Sequence, residues 1–184
     1  MKYILKPAIT LFLTAAISIT LLSVVHSLTL EPIEAQKKRT QEAALKEVLP
    51  QASDYRPYSY SGTGGSITAV YEGIINGVLT GYVLQLSPQG YSGSIDLMVG
   101  ISIPDNKISG VRVLRHTETP GLGALAVKEE FYRQYDNKQI SPLRVVKTTP
   151  GAQDINAITS ATITTRAITD AVNEAVEWYR GGRK

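Results

Sequence analysis

From residue 7 to residue 30 the chain carries no Asp, Glu, Lys or Arg, while Ile9, Leu11, Phe12, Leu13, Ile17, Ile19, Leu21, Leu22, Val24 and Val25 supply apolar surface. A helix crosses a bilayer with about 20 such residues, so the run predicts a single transmembrane span. A cleaved signal peptide is the competing reading, because Lys2 and Lys6 form a short basic start. The length of the run and the lack of a small-residue cleavage site rank that reading second. Lys37, Lys38 and Arg39 beyond the span nearly balance the charge count, and the signal-anchor character of the first residues places the N-terminus inside. Thr10, Thr14 and Ser18 recur every fourth residue along one helical face. Two readings of that stripe stay open: a docking face for an integral-membrane partner, or hydroxyls bonded back to their own carbonyls.

Beyond the span, residues 34–49 are rich in Ala, Glu, Lys and Gln, with Ala44, Leu45, Val48 and Leu49 on one side and Pro50 as a stop. That pattern predicts a juxtamembrane helix. Tyr55, Tyr58 and Tyr60 then stand among Pro57, Gly62, Gly64 and Gly65, a composition of turns. Residues 66–71 and 78–86 are β-branched and aromatic, and Asn76-Gly77 between them predicts a type I′ hairpin. Residues 95–103 and 108–114 flank the turn Pro104-Asp105-Asn106-Lys107, giving a second hairpin. Residues 124–135 read as a helix, 143–147 as a short strand, and 166–180 as the clearest helix of the domain. Its stripe is Ile168, Ala171, Val172, Ala175, Val176 and Tyr179. The expected class is α+β: an N-terminal transmembrane helix, then one domain with a mainly antiparallel sheet and flanking helices. The expected boundaries are residues 1–30 for the cytoplasmic start and anchor, 31–60 for the juxtamembrane helix and linker, and 61–184 for the domain.

Composition narrows the chemistry. With 184 residues, 43% hydrophobic and 19% charged, the chain suits one packed domain plus an appendage. Zero cysteines exclude disulfides, thiolate metal sites, iron–sulfur clusters and thiol nucleophiles, so a redox role needs a bound cofactor. Two histidines, His26 and His116, leave little for a His-rich metal site or a Ser-His-Asp triad. Asp96, Asp105, Asp136, Asp154 and Asp170 are scattered without metal-loop spacing, so no metal is assigned. A net charge of +3 gives no case for nucleic acid.

Two segments stand out. Gly121-Leu122-Gly123-Ala124-Leu125-Ala126 fits G-x-G-x-x-G/A, yet Pro120 and the residues before it spoil the tight strand-to-helix turn, and no acidic residue follows about 20 positions on. A bare turn that a flat ligand or phosphate could approach remains, beside a plain helix start as the alternative. Glu118 next to His116 fits a structural or ligand-orienting role better than an acid/base pair. The second segment, Thr159, Ser160, Ala161, Thr162, Thr164 and Thr165, crowds hydroxyls at the start of the last helix near Arg166. A helix N-terminus favours a phosphate; a Ser/Thr-rich cap is the commoner reading on composition alone.

Residues 156–162 resemble the D-x-x-[ST]-[GS]-A-T flavinylation motif of the bacterial FMN-binding domain, with Asn156 in place of the aspartate. Residues 116–123 resemble that family's H-x-E-T-P-G-L-G segment, and with Gly90-Tyr91-Ser92-Gly93 and the single span the chain is similar to the RnfG/RsxG family of the Rnf electron transport complex. The resemblance implies FMN joined through its phosphate to Thr162 by a flavin transferase, with Thr159, Ser160 and Ala161 at the adjoining motif positions. It implies Glu118, Thr119, Gly121, Leu122 and Gly123 as the wall of the flavin site, and no catalytic acid, base or nucleophile. Arg166, Thr164 and Thr165 are expected beside the cofactor. The implied function is an electron carrier in a translocase that couples ferredoxin and NAD to ion movement. Its implied partners are the other subunits of that complex, the transferase and membrane lipid, and its domain is expected on the periplasmic or extracellular side of the inner membrane. The alternatives are a carrier resembling NqrC of the sodium-pumping quinone reductase, a stand-alone extracellular flavoprotein, or a membrane-tethered binding module without redox chemistry.

Overall fold

The computed structural model describes residues 2–60, 62 and 65–181. Gly64 of the turn-rich segment lies outside the described residues, as does the side chain of Lys2. The chain divides into two compact units, Met1–Thr40 and Gln41–Lys184. The first unit is helical throughout and belongs to α1 (Lys2–Val48). Within it the charge-free run of residues 7–30 covers about 36 Å at 1.5 Å per residue, enough for a hydrocarbon core of about 30 Å. Thr10 donates to the carbonyl of Lys6 at 3.0 Å and Thr14 to that of Leu11 at 2.9 Å, so both threonines are satisfied by their own helix. Where two helices were expected on either side of residues 31–33, one continuous helix runs through Pro32. Proline removes a single N–H there, and the Ala-, Glu- and Lys-rich sequence that follows carries the helix on.

The second unit is built on a five-stranded antiparallel meander, β1 (Asp54–Tyr58), β2 (Ile67–Ile75), β3 (Val78–Leu86), β4 (Asp96–Ser102) and β5 (Lys107–Arg115), paired in chain order. Positive φ at both Asn76 (50°) and Gly77 (80°) makes the β2–β3 turn the type I′ expected of that dipeptide. β1 corrects a segment read as turns. It is an edge strand, where the missing N–H of Pro57 costs no ladder bond. Residues 124–135, expected as one helix, are a 3-10 turn (Gly123–Val127), a short α2 (Glu129–Tyr132) and a second 3-10 turn (Arg133–Tyr135). The break at Lys128, which is extended at ψ 143°, lets Ala126, Phe131 and Tyr135 all reach the core. β6 (Arg144–Val146) pairs in parallel with β7 (Asp154–Asn156), a strand the pattern did not reveal, and α3 (Thr162–Arg180) closes the unit.

Alternation along β3 and β4 splits the sheet into two apolar faces. Leu84, Leu86, Leu97, Val99 and Ile101 pack with Ile168, Ala171, Val172, Ala175 and Val176 of α3 in the main core. Val83 and Met98 point the other way, onto Ala44, Leu45, Val48 and Leu49 at the end of α1. That second contact is possible because Gly73, Gly81, Gly100 and Gly110, one from each of β2 to β5, leave a slot across the sheet. A Cβ on Gly100 would collide with the Val48 carbonyl oxygen, and one on Gly110 would lie 3.2 Å from Val48 Cα. Ser109 Oγ donates to the Val48 carbonyl, Tyr55 OH donates to the Leu49 carbonyl at 2.8 Å, and Arg112 pairs with Glu47.

Candidate functional site

The loop after β5 and the first turn of α3 enclose a cavity of about 380 Å³, lined by Tyr91, Glu118, Thr119, Leu122, Gly123, Ser160, Ala161, Thr162, Ile163 and Thr164. Volumes of this order hold small ligands and cofactors. α3 begins at Thr162, one turn earlier than its apolar stripe indicated, with Ala161 at the cap. The helix can start on a run of β-branched residues because tertiary contacts override their weak propensity. Thr165 Oγ1 accepts the N–H of Ile158 at 3.1 Å and donates to the Ala161 carbonyl, folding the preceding loop back onto the first turn. Thr169 Oγ1 bonds the Thr165 carbonyl and the hydroxyl of Tyr135, whose burial pushes its ionisation far above the usual tyrosine range.

Glu118 ties the walls together. Its side chain is 5% exposed. Oε1 accepts the N–H of Ser92 at 2.9 Å, and Oε2 accepts the hydroxyl of Thr164 at 2.6 Å. Its own N–H donates to Nδ1 of His116 at 3.2 Å, which holds the loop entry. Three segments far apart in sequence therefore converge on one carboxylate, and the glycines around it explain themselves by space. A Cβ on Gly123 would strike Glu118 Oε2 and lie 2.7 Å from Thr164 Oγ1, and one on Gly90 would lie 2.7 Å from Ile95 Cδ1. Gly121 serves the turn, at φ 78°, and the N–H groups of Leu122 and Ala124 both bond the Thr119 carbonyl.

The hydroxyl-rich run divides by environment. Thr164 and Thr165 are buried and spent on the hydrogen bonds just described. Thr162 is half-buried, lines the cavity and has no hydrogen-bond partner among the described residues. Ser160 also lines the cavity and is held in the left-handed region at φ 62°. Of the residues expected at the site, Glu118, Thr119, Leu122, Gly123, Ser160, Ala161, Thr162 and Thr164 meet there. Thr159 instead faces a second depression of about 440 Å³ with Asn156, Lys128 and Phe131. Gly121, Thr165 and Arg166 do not line the cavity, and Arg166 is exposed on α3. Tyr91 and Ile163 join the wall unannounced, Tyr91 because the Gly90–Gly93 turn folds over Glu118, and Ile163 because α3 starts early.

The arrangement offers a mostly apolar wall, a carboxylate edge and an unspent hydroxyl at a helix start. Residues 90–177 match the FMN-binding domain family, and residues 1–48 match the RnfG N-terminal region. The RnfG-type component of the ion-translocating oxidoreductase complex of Methanosarcina acetivorans is 34% identical over 181 residues, covering 96% of this chain and 95% of the relative. Its counterpart in the Na(+)-translocating ferredoxin:NAD(+) oxidoreductase complex of Acetobacterium woodii is 32% identical over 194 residues, covering 97% and 93%. The crystal structure of Shewanella oneidensis NqrC superposes with a TM-score of 0.53 at 25% identity, over 60% of this chain and 54% of that one. The α+β unit thus has the architecture of that protein, while the likeness that runs from the anchor to the last helix is to the RnfG-type components. The chain belongs to the RnfG family of ion-translocating oxidoreductase complexes.

Proposed function

We propose that this chain is the membrane-anchored, FMN-carrying component of an Rnf-type complex, and that it passes electrons within a translocase coupling ferredoxin and NAD to ion movement. The reading rests on likeness to the RnfG family over nearly the whole chain. An NqrC-like role is less favoured, since that likeness covers 60% of the chain. A stand-alone flavoprotein would have no use for the matched N-terminal region at residues 1–48.

The residues present fit the cofactor. Leu122, Ile163, Ala161 and the ring of Tyr91 suit a flat heterocycle, and Glu118, Thr164 and Ser160 give the wall a polar edge. Thr162 carries the attachment: its hydroxyl loses a proton, its oxygen joins the phosphorus, and the product is one FMN heavier less one water. A flavin transferase carries out that step, and Asn156 takes the place of the aspartate it would meet. When bound, FMN supplies one- or two-electron transfer, with a potential set by burial and hydrogen bonding. The chain's own part is to hold and orient. Glu118 keeps the loop, the 90–93 turn and α3 in register, the apolar wall limits water, and no residue needs to donate or accept a proton. The domain stands on the periplasmic or extracellular side, and lipid and the remaining components of the complex surround α1.

The test is intact mass and peptide mapping of the full chain coexpressed with a flavin transferase. The expected result is one added FMN less water on the Thr162 peptide, lost in Thr162→Ala with the fold retained. Covalent flavin retained in that variant overturns the attachment site and turns attention to Ser160, the other hydroxyl of the motif that lines the cavity. If the wild-type chain gains no mass, restoring Asp at position 156 separates a poor transferase substrate from a domain that takes no flavin.

A further inference from the structure

The cavity lacks what phosphate sites normally contain. Among its described lining residues none is Lys, Arg or His, and the single charged side chain is the carboxylate of Glu118. Glu118 also occupies the favourable position at the start of α3: its Oε2 accepts the hydroxyl of Thr164 in the first turn. The positive end of the helix dipole, which would otherwise attract a phosphate, already faces an anion. Arg166 lies one turn further on, exposed and outside the cavity wall, where solvent screening leaves a cation little pull. Lys128 faces the other depression.

Resting on the flavin reading above, we infer that the cavity discriminates against the free phosphate monoester of FMN, accepts the phosphate only as a diester on Thr162, and owes this selectivity to Glu118. A monoester carries close to two negative charges near neutral pH, whereas a diester carries one. The isoalloxazine and ribityl groups are the same in both. Esterification therefore removes the charge that Glu118 repels, besides tethering the ring. The N–H groups of Thr162, Ile163 and Thr164, which have no intrahelical acceptor, suffice for the singly charged diester. It follows that the protein does not retain free FMN from solution, and that the covalently attached form is the one held.

The test is fluorescence titration of the full chain in detergent, expressed without a flavin transferase so that Thr162 stays unmodified, with riboflavin and FMN as probes. Riboflavin has the same ring and no phosphate, and the expected outcome is binding at least about tenfold tighter than FMN, or about 1.4 kcal/mol. Glu118→Gln retains an acceptor for the Ser92 N–H, and the Thr164 hydroxyl can turn to accept from the new amide. In that variant FMN is expected within about threefold of riboflavin, with riboflavin changed less than about twofold. A second variant, Thr119→Lys, puts a cation on an exposed part of the wall and is expected to tighten FMN alone. FMN binding as tightly as riboflavin to the wild-type chain overturns the inference while leaving the FMN carrier intact. So does a Glu118→Gln effect equal for both probes, which would make Glu118 a brace only. So does a preference for FMN that disappears in Arg166→Ala. A chain that gains FMN covalently yet binds neither probe also overturns it, because the cavity then fails to hold the neutral ring. A chain that takes flavin in no form removes the carrier reading itself.

Discussion

Ser160 stands two residues before Thr162 with φ at 62°, where an L side chain crowds its own backbone. Glycine adopts that conformation without strain, so Ser160→Gly is expected to stabilise the chain by about 0.5 to 1 kcal/mol. A chemical-denaturation midpoint measured in detergent checks this, and flavin attachment should persist because the Thr162 hydroxyl is untouched. The residue scale is also where the sequence was most legible. The motif spacing singled out Thr162, Ser160 and Glu118, and the cavity contains all three. What spacing left open was the division of labour among adjacent hydroxyls. Thr164 and Thr165 match Thr162 in side-chain chemistry, and only burial against Glu118 and Ile158 shows them engaged. Arg166 illustrates the opposite case: close to the motif in sequence, it is turned away from the wall by the helix it sits on.

Among the elements, the end of α1 depends on a groove with no side chains of its own. In Gly100→Ala the new methyl would collide with the Val48 carbonyl oxygen and come 2.7 Å from its carbon, in a place where neither strand nor helix can yield cheaply. The expected cost is about 2 to 3 kcal/mol, read as a lower denaturant midpoint of the full chain. A separate pH signature belongs to the small parallel pair. The N–H of Gly151 and the guanidinium of Arg144 hold the Asp154 carboxyl below its usual range. Its contribution is therefore complete above the unfolded value of about 3.9 and fades as pH falls through the lower folded value. The stability gap between wild type and Asp154→Asn should be present at pH 7 and close as the solution is acidified below about pH 4. Hairpins were readable because Asn76-Gly77 and the 104–107 turn mark them locally. The three-residue β7 was not readable, since its pairing with β6 depends on the sheet's surroundings rather than on any local pattern.

For the molecule as a whole, the α+β class and the single anchor followed from periodicity and from the charge-free run, signals that extend over many residues. The continuity of α1 through Pro32 did not, because a proline and a change of composition look like a boundary in sequence. The absence of cysteine makes the topology directly testable. Val78, 64% exposed at the β2–β3 tip, can be replaced by cysteine as the sole thiol. A membrane-impermeant maleimide added to intact cells is expected to label Val78→Cys, and labelling only after lysis would reverse the proposed orientation. The meander pairs each strand with the one synthesised just before it, so the sheet can assemble in step with translation. The cavity cannot. Its wall joins the loop at residues 118–123 to the first turn of α3, which leaves the ribosome well after the five strands. Flavin loading is thus a late event in the protein's biogenesis, reserved for chains whose last helix has already closed over the sheet.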